Sequence, residues 1–170
     1  GKRVMSAYLN LLSAYPDQPY GHEPVRNPFV DEEGMNVLSS PKDIGSADDL
    51  QPKDEVLLDL IDQKIQAGER VIVYTAWVRL DTQERLHKLL TEKGVKASIL
   101  DQKVPPVQRE EWVDKRVREG VKVLVTNSAL VETGLDLNAF TTLVFYNIAF
   151  NLYVFRQASR RSWRINQTAP

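Results

Sequence analysis

Two regimes of apolar spacing divide the chain. Between Pro16 and Pro52, prolines at 16, 19, 24, 28 and 41 and several glycines interrupt a stretch with no steady period. That is longer than a normal loop inside a compact domain, so a peripheral segment or a connection is expected there. Ahead of it, residues 1–14 predict a helix whose face would carry Val4, Tyr8, Leu11 and Leu12. After Pro52 the rhythm turns regular. "PKDEVLLDLIDQKIQAG" predicts an amphipathic helix that starts at Pro52 and stops at Gly68. "RVIVYTAW" is a β-branched apolar run of buried-strand type. "DTQERLHKLLTEKG" places Asp81 and Glu84 at capping-box spacing and ends at Gly94. "VKASIL" predicts a strand, "PPVQREEWVDKRVREG" a helix ended by Gly120, and "VKVLVT" another strand. "TTLVFYN" predicts the last strand and "NLYVFRQASRR" the last helix. Alternation of this kind predicts an α/β fold, a mostly parallel sheet with helices on both faces.

Such sheets bind their ligands where strand carboxyl ends meet the following loops. The places to search are residues 75–79, 101–106, 126–138 and 147–151. Two of them are chemically distinctive. In "VTNSALVETGLDLN", Thr126, Asn127 and Ser128 follow a strand end, where hydroxyls and backbone amides can hold phosphate oxygens. Gly134-Leu135-Asp136 then reads as a tight turn, and Asp136 can accept hydrogen bonds from a ribose. Taken alone, this tripeptide means only a turn. Near the chain end, "QASRRSWRINQ" crowds Arg160, Arg161 and Arg164 into five positions. At 100° per residue these and Gln157 share one face of a helix, with Leu152, Phe155, Ala158 and Ser162 opposite. Converging guanidinium groups suit a polyanion such as a triphosphate. A solvated basic face beside a helix terminus is the plainer alternative, but it leaves unexplained the 34 residues after Asp136 that contain no acid.

Charge sharpens the contrast. The chain has 22 Lys and Arg against 23 Asp and Glu, a formal net charge of −1, so affinity for nucleic acid must come from a local patch. Its acidic residues gather early (Asp31, Glu32, Glu33, Asp43, Asp48, Asp49) and its arginines late. With 170 residues, 42% hydrophobic and 26% charged, one sizeable globular domain with an extension is expected. The absence of cysteine excludes disulfides and zinc–thiolate clusters and suits a reducing, cytoplasmic setting. No apolar run approaches the ~20 residues of a membrane span, and no signal peptide is visible. His22 and His87 lack metal-ligand spacing, so no metal is assigned.

In order along the chain, "VIVYTAW", "VLVTNSALVETGLDLN" and "QASRRSWRINQ" resemble motifs four, five and six of superfamily-two helicases and translocases, in their second RecA-like lobe. The last fits Gln-x-x-(Gly/Arg)-Arg-x-x-Arg and is similar to the "RAHRIGQ" of Swi/Snf-type DNA translocases, with Trp163 for histidine and Asn166 for glycine. "TTLVFYNIAFN" also resembles the segment between motifs five and six, and bacterial or phage helicase-like proteins are the most similar group. The resemblance covers about residues 52–167. It implies a RecA-like three-layer domain over 52–170, with 1–51 as an N-terminal helix and irregular extension or linker from a first lobe. It further implies ATP bound between two lobes, with Arg161 and Arg164 as arginine fingers and Gly134, Asp136 and Gln157 beside the nucleotide. Thr75, Trp77, Thr126 and Asn127 would lie on a nucleic-acid track, for DNA in the first instance or else RNA, and no membrane is involved. The sequence also departs from the family. It contains no Gly-x-x-x-x-Gly-Lys-(Ser/Thr) loop and no acidic magnesium motif, so Mg²⁺ and the phosphate cradle would belong to the first lobe. Motif five is longer between Thr126 and Gly134 than in the commonest helicases. Two alternatives stay open on sequence alone: a catalytically inactive nucleic-acid- or protein-binding module on the same fold, and a small-molecule enzyme such as a nucleotide-sugar transferase. The missing glycine-rich turn after "VIVY" argues against dinucleotide use.

Overall fold

A computed structural model describes residues 2–30, 36–76, 81–127, 130, 135, 137–148 and 156. These divide into two compact units, Gly1–Lys53 and Asp54–Pro170.

In the first unit, helix α1 (Lys2–Ala14) is followed by a two-stranded antiparallel ladder of β1 (Val25–Arg26) and β2 (Val37–Ser39). Strands of two and three residues carry no readable period, which is why the sequence pattern shows only an irregular stretch there. Ala14, Tyr20 and Val25 are buried. The inward face of α1 runs through Val4, Leu11 and Ala14, whereas Tyr8 and Leu12, expected on it, are 37% and 60% exposed.

In the second unit, α2 (Pro52–Gln66) opens on Pro52, whose missing N–H costs nothing in a first turn, and carries Asp54 and Glu55 toward the positive helix end. Gly68, at φ 80°, takes the left-handed turn that ends it and leads into β3 (Val71–Thr75). Every residue of β3 is buried, the mark of a central parallel strand. The sheet continues with β4 (Ala97–Leu100), β5 (Val123–Asn127) and β6 (Thr142–Phe145) in the order β4-β5-β3-β6, with all pairs parallel. Side-chain alternation splits the core. Val71, Val73, Val123 and Val125 pack with Leu57 and Ile61 of α2 and with Leu86 and Leu90 of α3 (Thr82–Glu92). Ile72, Tyr74 and Leu124 face the other way, onto Leu100, Leu135, Leu137, Phe140 and Val113 of α4 (Arg109–Arg118). Helices therefore cover both faces, as the alternation requires.

Two local expectations change. Asp81 makes no side-chain cap; it sits at φ 49°, ψ 25°, and its carbonyl accepts the amide of Arg85 at 3.0 Å. Aspartate tolerates that left-handed conformation, and the turn it makes into α3 replaces the capping box. The fourth helical stretch starts as a single 3₁₀ turn, Pro106–Gln108, before α4. Trp112 is half-buried against the core, with the Arg116 guanidinium 5.0 Å from its ring centre. The last predicted helix lies outside the described residues, apart from Arg156, which is helical.

Candidate functional site at the carboxyl edge of the sheet

All four strands are parallel, so their exits share one edge, and register decides which residues meet there. Thr75 ends β3 opposite Asn127 of β5, and Tyr74 stands beside Thr126 on one side and Phe145 on the other. The register thus brings Thr75, Thr126 and Asn127 together. Trp77, Gly134, Asp136, Gln157, Arg161 and Arg164 lie outside the described residues.

The two threonines are not equivalent to solvent-facing hydroxyls. Thr126 is fully buried and its Oγ1 donates to the carbonyl of Leu100 at 2.8 Å, tying the end of β5 to the end of β4. Thr75 is 1% exposed; its Oγ1 accepts Gln83 Nε2 of α3 at 3.1 Å and makes a long contact to Thr126 O at 3.5 Å. Asn127, by contrast, is only half-buried. A polar seam thus crosses the sheet from Leu100 through Thr126 and Thr75 to Gln83.

A second polar cluster closes the other side of the edge. Asp54, in the first turn of α2, is completely buried, and Arg85 of α3 grips it with two bonds, Nη1 to Oδ2 at 2.7 Å and Nη2 to Oδ1 at 2.9 Å. Tyr146, just past β6, donates its hydroxyl to Asp54 Oδ1 at 2.8 Å and accepts Arg85 Nη2 at 2.9 Å. The next residue, Asn147, accepts the amide of Ala76 on its Oδ1, so the exits of β3 and β6 are joined. On the far side, Arg109 is 7% exposed and donates Nε to Val104 O at 3.1 Å and Nη1 to Leu130 O at 2.8 Å. Arg109 is a buried fork that satisfies the carbonyls of Val104 and Leu130. Lys103 stays exposed beside Asp101.

Asp54, Gln83 and Arg85 carry no signal in the sequence, whereas Tyr146 and Asn147 lie in the "TTLVFYNIAFN" stretch without standing out from it. Asp54 and Arg85 look like ordinary helix charges when read along their helices, and only folding brings them to one point. Among the described residues no group of three or more His, Cys, Asp or Glu side chains could hold a metal ion. No helix among them is long and apolar enough to cross a membrane.

Residues 52–166 match the helicase conserved C-terminal domain. The chain belongs to that family. Its fold is that of the second RecA-like lobe of a superfamily-two helicase. The lobe is similar to an uncharacterized ATP-dependent helicase of Mycoplasma pneumoniae, 23% identical over 133 residues, 78% of this chain and 13% of that protein. It is similar as well to the chromatin-remodeling ATPase INO80 of Candida albicans, 25% identical over 142 residues, 83% of this chain and 10% of that protein. The chain thus spans a small fraction of the curated relatives it matches. Among solved structures, the C-terminal part of the Fun30 ATPase domain superposes with a TM-score of 0.62 at 20% identity, over 69% of this chain and 38% of that one, a likeness of fold. The matched span begins at the first turn of α2 and runs into the arginine-rich stretch.

Proposed function

We propose that this lobe is half of an ATP-driven DNA translocase or helicase, in which a first RecA-like lobe supplies the phosphate cradle and the Mg²⁺ ligands. ATP sits between the lobes. Arg161 and Arg164 reach its γ-phosphate as arginine fingers, with Gln157 alongside and Gly134 and Asp136 toward the ribose. Charge builds on phosphate oxygens in the transition state, and preorganised guanidinium groups stabilise it there; such fingers are worth about 10³–10⁵ in turnover. Because fingers and cradle come from different lobes, ATP binding draws the lobes together and hydrolysis lets them part, which ratchets the protein along a strand. Residues 1–51 serve as the connection to the first lobe.

The observation that carries this reading is the shared edge: the exits of β3 and β5, which lie within motifs four and five, and the exit of β6, which precedes motif six, are adjacent in one parallel sheet. Nucleic-acid phosphates cross the loops after β3 and β5. The buried threonines shift the weight of that contact: Thr75 and Thr126 shape the edge, and the half-buried Asn127, with Trp77 and nearby backbone amides, meets phosphate or base.

In the two-lobed protein, Arg161→Ala or Arg164→Ala lowers ATP turnover by orders of magnitude and changes nucleotide affinity far less, because the lost group acts on transition-state charge. Arg164→Lys also fails, since it keeps the charge without the fork. Arg156→Ala is the control and retains most activity. Steady-state ATPase assays with nucleotide titrations decide; equal mild losses at all three positions would reduce the cluster to a diffuse basic surface.

A further inference from the structure

We infer that Asp54, Arg85 and Tyr146 form a positioning clamp that sets where the exits of β3 and β6 meet, and so where the segments leaving them stand. The functional part of this inference rests on the reading of the sheet edge as the ligand side. Three elements converge on the clamp: the first turn of α2, the first turn of α3 and the residue after β6. Asp54 is 0% exposed and the Arg85 side chain 9%. A buried ion pair offsets its desolvation poorly, and apolar residues of the same volume often serve stability as well or better. What the trio supplies beyond stability is geometry. The guanidinium fork fixes Asp54 by two bonds, and the Tyr146 hydroxyl is held from both sides, by Asp54 Oδ1 and Arg85 Nη2.

Holding Tyr146 in turn fixes the backbone on either side of it. Its own amide donates to Tyr74 O at 2.9 Å, and its neighbour Asn147 bonds Ala76, the residue that leaves β3. Asn147 is 6% exposed, and its Nδ2 has no partner among the described residues. A single bond does not orient an amide side chain, so the direction of Asn147 is inherited from the clamped residue before it. The clamp therefore acts through Asn147 on Ala76. None of the three groups touches a reacting atom; they are positioning residues.

The test uses the purified 170-residue chain. Tyr146→Phe removes the hydroxyl and keeps the ring; Arg85→Lys keeps the charge and loses the fork. Amide hydrogen exchange is read at Ala76, against Val73 and Val125 in the sheet interior as references. Both variants should speed exchange at Ala76 by tenfold or more beyond whatever acceleration a lower global stability brings to the two references. Affinity for a generic duplex DNA at low salt should fall several-fold in parallel. Unchanged exchange at Ala76, or equal acceleration at all three amides, would overturn the clamp, the second outcome marking an ordinary structural contribution. Loosening at Ala76 with DNA affinity intact would overturn its functional part. If the wild-type chain binds no DNA, the ligand-edge reading fails while exchange still decides whether the clamp exists.

Discussion

Thr126 and Asn127 are neighbours in one strand with opposite fates. Thr126 commits its hydroxyl to Leu100 inside the sheet edge, whereas Asn127 stands half-exposed at the exit. Thr126→Val should therefore cost about 1 kcal/mol of stability, the usual net contribution of one hydrogen bond, and lower the urea midpoint with little direct effect on DNA affinity. Asn127→Ala should weaken DNA binding uniformly across sequences, and a titration beside a denaturation curve separates the two effects. Glu69, in the turn before β3, shows a pH effect of known sign. Hydrogen bonds from Thr142 and from Lys64 hold its carboxyl below the usual glutamate range, against a smaller opposing cost of burial. The stability this contributes is present above the unfolded value of about 4.3 and is lost as pH falls through the lower folded value. Glu69→Gln should thus lower the urea midpoint most above about pH 5, with the gap to wild type closing below about pH 4.

Side chains join elements at the sheet edge. Arg109, at the start of α4, spans Val104 in the preceding loop and Leu130 in the segment after β5. Arg109→Met fills similar space but strips a partner from two carbonyls, which should cost about 2 kcal/mol, at one unsatisfied group's penalty or slightly more. Arg109→Lys should recover little of it, because an ammonium cannot present two N–H groups in a fixed fork. Urea denaturation of the three proteins checks both statements. At α3 the helix begins without its expected cap because Asp81 turns the chain by a left-handed residue, so the entry is set by backbone conformation and not by a side-chain bond.

At the scale of the whole molecule, one lobe carries only part of the chemistry proposed for the pair. The sequence has no phosphate loop and no acidic magnesium motif. The isolated chain should show no ATP hydrolysis above background and only weak nucleotide binding, measured by phosphate release with and without DNA. Binding to DNA should be weak, without sequence preference, and should fall steeply as salt rises. Robust turnover by the chain alone would contradict the two-lobed reading, and tight salt-insensitive binding to one sequence would make it a specific recognition module.

The alternation of apolar runs was enough to determine the described elements after Pro52 and their class, because a central parallel strand such as Val71–Thr75 is apolar throughout and a surface helix is not. Glycines 68, 94 and 120 marked the helix ends, since each needs a left-handed backbone. Motif order was enough to place the chain in its family. Strand order was not legible: β3 lies between β5 and β6 through crossovers that no local pattern records. Nor was the clamp, whose members Asp54, Arg85 and Tyr146 are separated by 31 and 61 residues and meet only once α2, α3 and β6 pack together. Burial of Thr126 and of Arg109 was decided in the same way, for a side chain's surroundings belong to its neighbours in space, and periodicity reports only its neighbours along the chain.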